Sequence, residues 1–192
     1  LLLFAVVTLR SAWLCDDAYI TFRTVENVVD GHGARWNPIE RVQSYTHPLW
    51  MLVLVPLRAF TGEIHATSLA LSLALSWTAV ALLVVGIARS TWLLPGLVLA
   101  LALSRSYVDY STSGLENPLV HLLLVLLLWT WWRTEREPSP RQTLTATLLA
   151  SGVLLCRLDL VFVVAPVIGG LLWRRHDASA WSAFASGLIP LV

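Results

Sequence analysis

Two adjacent carboxylates, Asp16 and Asp17, stand where an apolar segment ends, in a chain that is otherwise poor in charge. A carboxylate at the lip of a membrane can act as general base on a hydroxyl, because partial burial tunes its pKa. One helix cap needs only one Asp, and neighbouring carboxylates repel each other. The pair therefore indicates acid–base chemistry, with a helix cap beside a solvated charge as the equally weighted alternative from these residues alone.

Other charged and polar residues are candidates for the same site. Arg10 lies within the first apolar segment, where its charge should pair with a carboxylate or phosphate or extend to the surface. Glu116 opens a later apolar segment, so it either favours a helix N-terminus or serves the site. Arg157 and Asp159 form either a structural ion pair or, through Arg157, a contact with a substrate phosphate. His47 is interpreted as a polar loop residue, since the histidines lack metal-ligand spacing.

Composition indicates a polytopic membrane protein. Hydrophobic residues make up 57% and charged residues 13% of the chain, against about 25% charged in soluble domains. Mean hydropathy is +0.71. The net charge of +1 implies no nucleic acid or other bulk acidic partner. Cys15 and Cys156 are interpreted as core thiols, and the sequence contains no dinucleotide-binding, P-loop, HExxH or Ser/His/Asp pattern. The fold class predicted is all-α, a polytopic transmembrane helix bundle.

The two ends of the chain suggest an excerpt. The chain opens with LLLFAVV, without Met, and stops within FASGLIPLV. We expect the N-terminal part of a longer protein, inactive when isolated. The apolar start is interpreted as a truncated first span rather than a signal peptide, because no small-residue cleavage site follows it.

Apolar runs follow one another along the chain. Only 66–88 comfortably reaches the roughly 20 residues that a span requires. Segment 49–60 is short and contains Pro56 and Arg58, as expected of a re-entrant or interfacial helix. The runs cover 1–14, 49–60, 66–88, 91–104, 118–132, 143–156, 160–173 and the residues from 178.

The topology depends on segment 49–60. If it does not span, the loops 15–47 and 105–117 share one face, with Glu116, and after a further pair of crossings Asp159, on that face too. The short Arg-rich links then lie on the other, cytoplasmic face. If the segment spans, the acidic pair and Glu116 fall on opposite faces, which a simple Arg count favours. Its length and proline favour the first arrangement. The link residues are Arg89, Arg133, Arg136, Arg141, Arg174 and Arg175.

Helical spacing between residues 17 and 30 separates apolar from polar side chains. We predict an amphipathic helix that Asp16 or Asp17 caps and Gly31 ends. It should lie along the membrane surface with its polar side toward a lumen or cleft. Trp50, further along, is interpreted as an ordinary interfacial aromatic residue. The apolar arc holds Ala18, Phe22, Val25, Val28 and Val29, and the polar arc holds Tyr19, Arg23, Glu26, Asn27 and Asp30.

A set of motifs in fixed order covers nearly the whole chain. They are DDAYI at 16–20, a G-x-G to N-P turn at 31–38, YTHPLW at 45–50, STSGLE at 111–116 and R-L-D at 157–159. Together they resemble bacterial GT-C glycosyltransferases, which use polyprenyl-phosphate sugars. They are most similar to the terminal arabinofuranosyltransferase family of actinobacterial cell walls. In two departures from that pattern, Leu158 replaces the usual Pro and Asn117 stands where Thr is common.

The resemblance implies a GT-C core with the acidic pair on an outer-loop helix along the membrane, and it favours a non-spanning 49–60. Asp16 or Asp17 would be the catalytic base of an inverting transfer, and Glu116 would bind sugar hydroxyls. Arg10, Arg23 or Arg157 would hold the donor phosphate. The expected substrate-binding residues are Arg10, Tyr19, Arg23, Tyr45, His47, Glu116, Arg157 and Asp159.

The resemblance also implies partners and a location. The donor would be a polyprenyl-phosphate sugar, the acceptor a cell-envelope glycan or lipid, and the site extracytoplasmic in a multi-pass protein of the bacterial inner membrane. The expected organisation is one partial domain, 1–192. It comprises a truncated span at 1–14, a catalytic outer loop at 15–47, an interfacial or re-entrant helix at 48–62 and further spans at 63–192.

No metal site and no firm cofactor is predicted. Some members of the wider superfamily use a divalent metal, and paired carboxylates could ligate Mg²⁺ or Mn²⁺, which leaves a metal as the alternative.

Two other functions remain open on the sequence. A transporter or flippase for lipid-linked glycans would also have intramembrane Arg and outer-face acids. Such a protein should show inverted repeats, and the sequence shows none. A non-catalytic membrane scaffold would make Asp16→Asn silent.

Overall fold

The computed structural model describes residues 1–40, 42–86, 93–134 and 137–192, and every regular element in these ranges is helical. The predicted all-α class is confirmed to that extent. Arg89 and Arg136, and residues 87–92 at the ends of two predicted apolar runs, lie outside the described residues. The α-helices are α1 Leu2–Arg10, α2 Asp16–Val29, α3 Pro48–Thr61, α4 His65–Gly86, α5 Leu93–Leu103, α6 Arg105–Asp109, α7 Asn117–Arg133, α8 Pro140–Cys156, α9 Val161–Arg174 and α10 Ala178–Gly187, with 3₁₀ turns at Leu158–Leu160 and Ile189–Leu191.

The apolar runs form helices close to their predicted positions. In the described ranges α4, with 22 residues, is the helix long and apolar enough to cross a membrane by itself. The first run is shorter than expected, because α1 ends at Arg10. The multi-pass bundle therefore remains a prediction.

Contacts divide the chain into two units, Leu1–Leu119 and Val120–Val192. In the first unit, Phe4 of α1 packs with Val80 of α4 and Ala102 of α5. In the second unit, α8 begins with a capping box in which Ser139 and Gln142 bond each other's backbone N–H. Its core is formed by Leu127, Ala146, Ala150, Val153, Val164, Ile168 and Leu171.

The predicted amphipathic helix forms as α2, and three residues of its apolar arc are buried inside the protein, whereas Val28 and Val29 are half-buried. Ala18, Phe22 and Val25 pack against α3, which contributes Trp50 and Leu54 to the same cluster. These side chains are at most 2% exposed. Burying such apolar surface supplies the main stabilisation of a helix of this length.

The start of α2 differs from its prediction. Cys15 is the N-cap residue and Asp16 is the first helical residue, so neither Asp is the cap. Asp16 nevertheless serves the helix start, because its Oδ1 accepts a hydrogen bond from the Asp17 backbone N–H at 3.1 Å.

The prediction for the polar arc of α2 was wrong for one residue. Asn27, assigned to the solvated side, is 4% exposed. Its Nδ2 donates to the carbonyl oxygens of Arg35 and Trp36, both at 2.8 Å. These bonds hold the turn that follows α2, where Gly31 and Gly33 adopt φ of +81° and +85°. The end of α2 near Gly31 is as predicted.

Helix α3 has 14 residues and contains Pro56, and a span needs at least about 17 residues. Trp50 is not an interfacial residue, contrary to the sequence interpretation. It is fully buried, and its Nε1 donates to the Gly114 carbonyl at 2.9 Å. The indole is removed from any interface because it fills the space between α2, α3 and the loop before α7.

Candidate functional site

The N-terminus of α2 lies against the loop that joins α6 to α7. The Cys15 backbone N–H donates to the Ser113 carbonyl at 2.8 Å. Trp13 Nε1 donates to the Asp109 carbonyl at 3.0 Å. The loops 15–47 and 105–117 therefore meet at these residues, and the topology of the chain across a membrane remains a prediction.

Gly114 makes this close approach possible. Its φ is +81°, and a Cβ there would lie 2.9 Å from both the Ala18 Cβ and the Leu14 Cδ2. A side chain would meet both strain and a clash, which explains the glycine in the STSGLE segment. The Gly114 carbonyl also accepts the hydrogen bond from the Trp50 indole. Gly114 therefore contacts both α2 and α3.

The two carboxylates at the start of α2 are both exposed but differ in their partners. Asp16 Oδ1 accepts from the Cys15 thiol at 3.2 Å and from the Asp17 N–H at 3.1 Å. The Cys15 hydrogen bond, followed by the backbone N–H of Asp17, lowers the pKa of Asp16 below its ordinary value. The Asp17 carboxylate accepts no hydrogen bond from residues of the described ranges, so its lone pairs are open to a substrate.

Cys15 is a hydrogen-bond donor in this arrangement rather than a nucleophile. Desolvation, with the hydrogen bond to Asp16, raises the pKa of its thiol. A raised pKa keeps the S–H form at neutral pH.

A buried chain of polar contacts lies beneath this helix turn. His47 Nε2 is 2.6 Å from Thr21 Oγ1, and His47 Nδ1 is 3.2 Å from Glu116 Oε2. His47 Nδ1 also lies 3.2 Å from Thr46 Oγ1, and the tautomer of the ring decides which of its nitrogens donates. In the tautomer with the proton on Nδ1, Nε2 accepts from the Thr21 hydroxyl. We call these three residues the Thr21–His47–Glu116 chain. They connect α2 to the start of α3 and to the segment before α7.

Burial separates the expected substrate-binding residues of the first unit. His47 and Glu116 are only 8% and 6% exposed. Tyr45 packs against the cluster around Trp50. The structure thus gives His47 and Glu116 direct contact with each other, and their role in binding substrate remains a prediction.

Three other expected residues are accessible. Tyr19 and Arg23 are exposed on α2, and Arg10 is exposed at the end of α1. The Tyr19 ring lies 5.3 Å from the His65 ring. Side chains three and four residues apart share one side of a helix, so Asp16, Tyr19 and Arg23 form one accessible row.

Arg157 and Asp159 belong to the second unit. The guanidinium donates to both carboxylate oxygens at 3.2 Å. This hydrogen bonding by Arg157 lowers the pKa of Asp159. The structural ion pair is thus present, and contact with a substrate phosphate remains a prediction.

Sequence reasoning missed Thr21, Gly114 and the thiol of Cys15. The sequence spacing could have indicated Thr21, since it follows Asp17 by four residues and precedes Thr24 by three. Residues with that spacing form a polar stripe down one side of a helix. Thr24 bonds Ser44 at 2.6 Å on the same side.

The ligand atoms of Cys15, Asp16 and Asp17 lie within 4.8 Å of one another. Mg²⁺ and Mn²⁺ prefer oxygen ligands, and a thiol is a poor ligand for either. The fitting donors are therefore the two carboxylates alone, and metal dependence remains a prediction.

These features describe a helical protein with an apolar helix of membrane-spanning length. The acidic start of its helix α2 is held against the loop between α6 and α7. Its relatives are arabinofuranosyltransferases. A "Terminal beta-(1->2)-arabinofuranosyltransferase" of Mycobacterium tuberculosis is 28% identical over 201 residues, covering 93% of this chain and 31% of that protein. One of the same name from Corynebacterium glutamicum is 33% identical over 139 residues, covering 68% of this chain and 20% of that protein.

These matches confirm the resemblance to the actinobacterial terminal arabinofuranosyltransferase family. The chain spans less than a third of the length of either curated relative. No family model matches the chain, and no solved structure matches it.

Proposed function

We propose that this protein is a membrane glycosyltransferase of the GT-C type. It transfers a sugar, arabinofuranose in the first instance, from a polyprenyl-phosphate donor to a cell-envelope glycan or lipid. The observation that carries the proposal is the exposed carboxylate pair at the start of α2, in a chain whose relatives are named arabinofuranosyltransferases.

Asp17 is the proposed general base. Its carboxylate is exposed and has no partner in the described ranges, whereas the Asp16 carboxylate already accepts two hydrogen bonds. Asp17 takes the proton of an acceptor hydroxyl as that oxygen bonds to the anomeric carbon and the bond to the donor phosphate breaks. Polyprenyl phosphate leaves with the bonding electrons. Asp16 orients the acceptor through its remaining lone pairs.

Arg23 and Arg10 are the proposed contacts for the donor phosphate. Arg23 lies on the same side of α2 as Asp16 and Tyr19, and both guanidinium groups are exposed. A charge-assisted contact would hold the phosphate and stabilise its developing charge as it leaves. Arg157 is a weaker choice, because Asp159 already occupies its guanidinium.

His47 and Glu116 are proposed to position α2 rather than to bind sugar. Their burial leaves little surface for a ligand, and the Thr21–His47–Glu116 chain ends one helical turn below Asp17. It therefore fixes the direction in which the base points, and a small misplacement of a base lowers rates strongly.

The proposed location is the outer face of the bacterial inner membrane. The proximity of the loops 15–47 and 105–117 supports the arrangement with a non-spanning α3. The Arg-rich links then lie on the cytoplasmic side.

The test uses the intact protein in membranes with a panel of radiolabelled polyprenyl-phosphate sugars, arabinose and mannose included. Wild type is compared with Asp17→Asn, Asp16→Asn and, as matched control, Asp30→Asn, an exposed acid at the other end of α2. We expect Asp17→Asn to lose at least a hundredfold in transfer, in the range of general-base catalysis, with donor binding retained. Asp30→Asn should be silent.

Transfer unaffected in both Asp variants would overturn the mechanism and leave the family. Absence of transfer from any donor, with movement of lipid-linked glycan across the bilayer, would favour the flippase.

A further inference from the structure

A groove in the second unit is lined by residues of α7 and α8 and has a volume of about 340 Å³. It lies where α7 ends and α8 begins, and the catalytic proposal makes no use of it. The residues that matter to its chemistry are Leu126, Trp129, Thr130, Arg133, Arg141 and Gln142.

Among the described residues, the lining of the groove carries positive charge without a matching acid. Arg133 and Arg141 both line it, and no lining residue in the described part of the chain is a carboxylate. Neither arginine forms an ion pair with a carboxylate of the described residues. Glu137, the described acid of the intervening link, lies outside the lining. Two guanidinium groups that face one space, without a carboxylate partner among the described residues, favour an anion, and phosphate matches their donor geometry.

The donors are partly oriented in advance. The Arg133 guanidinium carbon lies 4.7 Å from the centre of the Trp129 ring, a cation–π contact that restrains the side chain. Gln142 uses its side-chain oxygen to accept from the Ser139 N–H. Its amide nitrogen therefore remains available to donate.

The groove is charged at one end and apolar at the other, as a phospholipid is. Arg133 is the last residue of α7, Trp129 lies one turn before it, and Leu126 lies nearly a further turn into the apolar part of the helix. Arg141 opens α8 beside the same end. Arginine and tryptophan at the end of an apolar helix are typical of the membrane boundary. Basic pockets between such helix ends bind anionic lipid headgroups.

We propose that this groove binds the headgroup phosphate of an anionic phospholipid, with an acyl chain along Leu126. A soluble phosphate ester offers the same charge but would leave the apolar end of the groove unfilled, so the proposal commits to the lipid. It stands independently of the transferase proposal.

The test measures lipid retained by the intact protein purified in detergent. Phosphatidylglycerol, phosphatidylcholine and glycerol 3-phosphate are added separately, and bound molecules are counted by native mass spectrometry. We expect phosphatidylglycerol to be retained at least fivefold more than phosphatidylcholine. The double variant Arg133→Gln with Arg141→Gln should lose this preference, and the corresponding Arg→Lys pair should keep most of it.

Arg174→Gln is the matched control. The Arg174 guanidinium also stacks on a tryptophan, at 4.3 Å from the Trp131 ring centre, but does not line the groove. If the double variant does not fold, Arg141→Gln alone, at an exposed position, should still lower retention at least twofold. Equal loss in Arg174→Gln, no preference between the two lipids, or saturation by glycerol 3-phosphate alone would each overturn the proposal.

Discussion

His47 Nδ1 lies 3.2 Å from Glu116 Oε2 and thereby joins the start of α3 to the segment before α7. Through Nε2 the same ring reaches Thr21 on α2. Both contacts are buried, and removing a buried hydrogen bond such as the one between Thr21 and His47 costs about 1–3 kcal/mol. The site therefore depends on contacts between three residues that are far apart in the sequence.

Breaking the chain at Thr21 should slow transfer without removing a substrate contact. We expect Thr21→Val to lower kcat about tenfold or more with little change in KM. The substitution removes the Thr21–His47 hydrogen bond and loosens the helix turn that carries Asp17. Steady-state kinetics on the intact enzyme measure both constants.

Thr21→Ser is the control, because it keeps the hydroxyl and should retain most of the activity. A purely structural defect would lower the amount of folded protein and leave the kcat of the remainder intact. A rise in KM at constant kcat would instead assign the chain to substrate binding, as the family resemblance implied for His47 and Glu116.

Gly114→Ala should destabilise the first unit. The new Cβ would lie 2.9 Å from Ala18 Cβ and Leu14 Cδ2 at a φ of +81°, and overpacking alone costs about 1–3 kcal/mol. We expect a lower thermal unfolding midpoint and weaker transfer. Gly96→Ala is the control, since a Cβ there meets nothing within 4 Å. Equal midpoints for both variants would contradict the close packing of the STSGLE loop on α2.

The amphipathic helix could be predicted because its apolar spacing is a local property that also decides which face is buried. Trp50 could not be assigned in this way, since a tryptophan near an apolar helix start suits both a membrane boundary and a core. Its burial is decided by the Gly114 carbonyl, which is remote in sequence. The prediction for Asn27 was wrong for a related reason. A polar residue on a polar arc becomes buried when the following turn folds back and accepts hydrogen bonds from its amide.

Cys15→Ala should distinguish the two candidate bases by pH. The Cys15 hydrogen bond lowers the pKa of Asp16, so its removal should raise that pKa toward the ordinary value. A group with a depressed folded pKa stabilises the protein above its unfolded pKa and loses that contribution as pH falls through the folded one. The variant should therefore lose less of this contribution on acidification.

The readout for catalysis is the acid limb of kcat/KM against pH. If Asp17 is the base, the limb should stay in place in Cys15→Ala, whereas a limb moved to higher pH would assign the base to Asp16. Cys15→Ser keeps a donor at this position and should behave as wild type. The N-cap position tolerates these changes, because the Cys15 side chain makes no cap hydrogen bond.

Metal removal tests the remaining role of the acidic pair. We expect transfer to survive EDTA with less than a twofold loss, because Asp16 already accepts two hydrogen bonds and the nearby thiol is a poor ligand for Mg²⁺ or Mn²⁺. Transfer is measured after dialysis against EDTA and again after addition of either cation. Loss restored by Mg²⁺ or Mn²⁺ in wild type but not in Asp16→Asn would instead make the pair a metal-binding site. The donor phosphate would then be held through the cation rather than by Arg23.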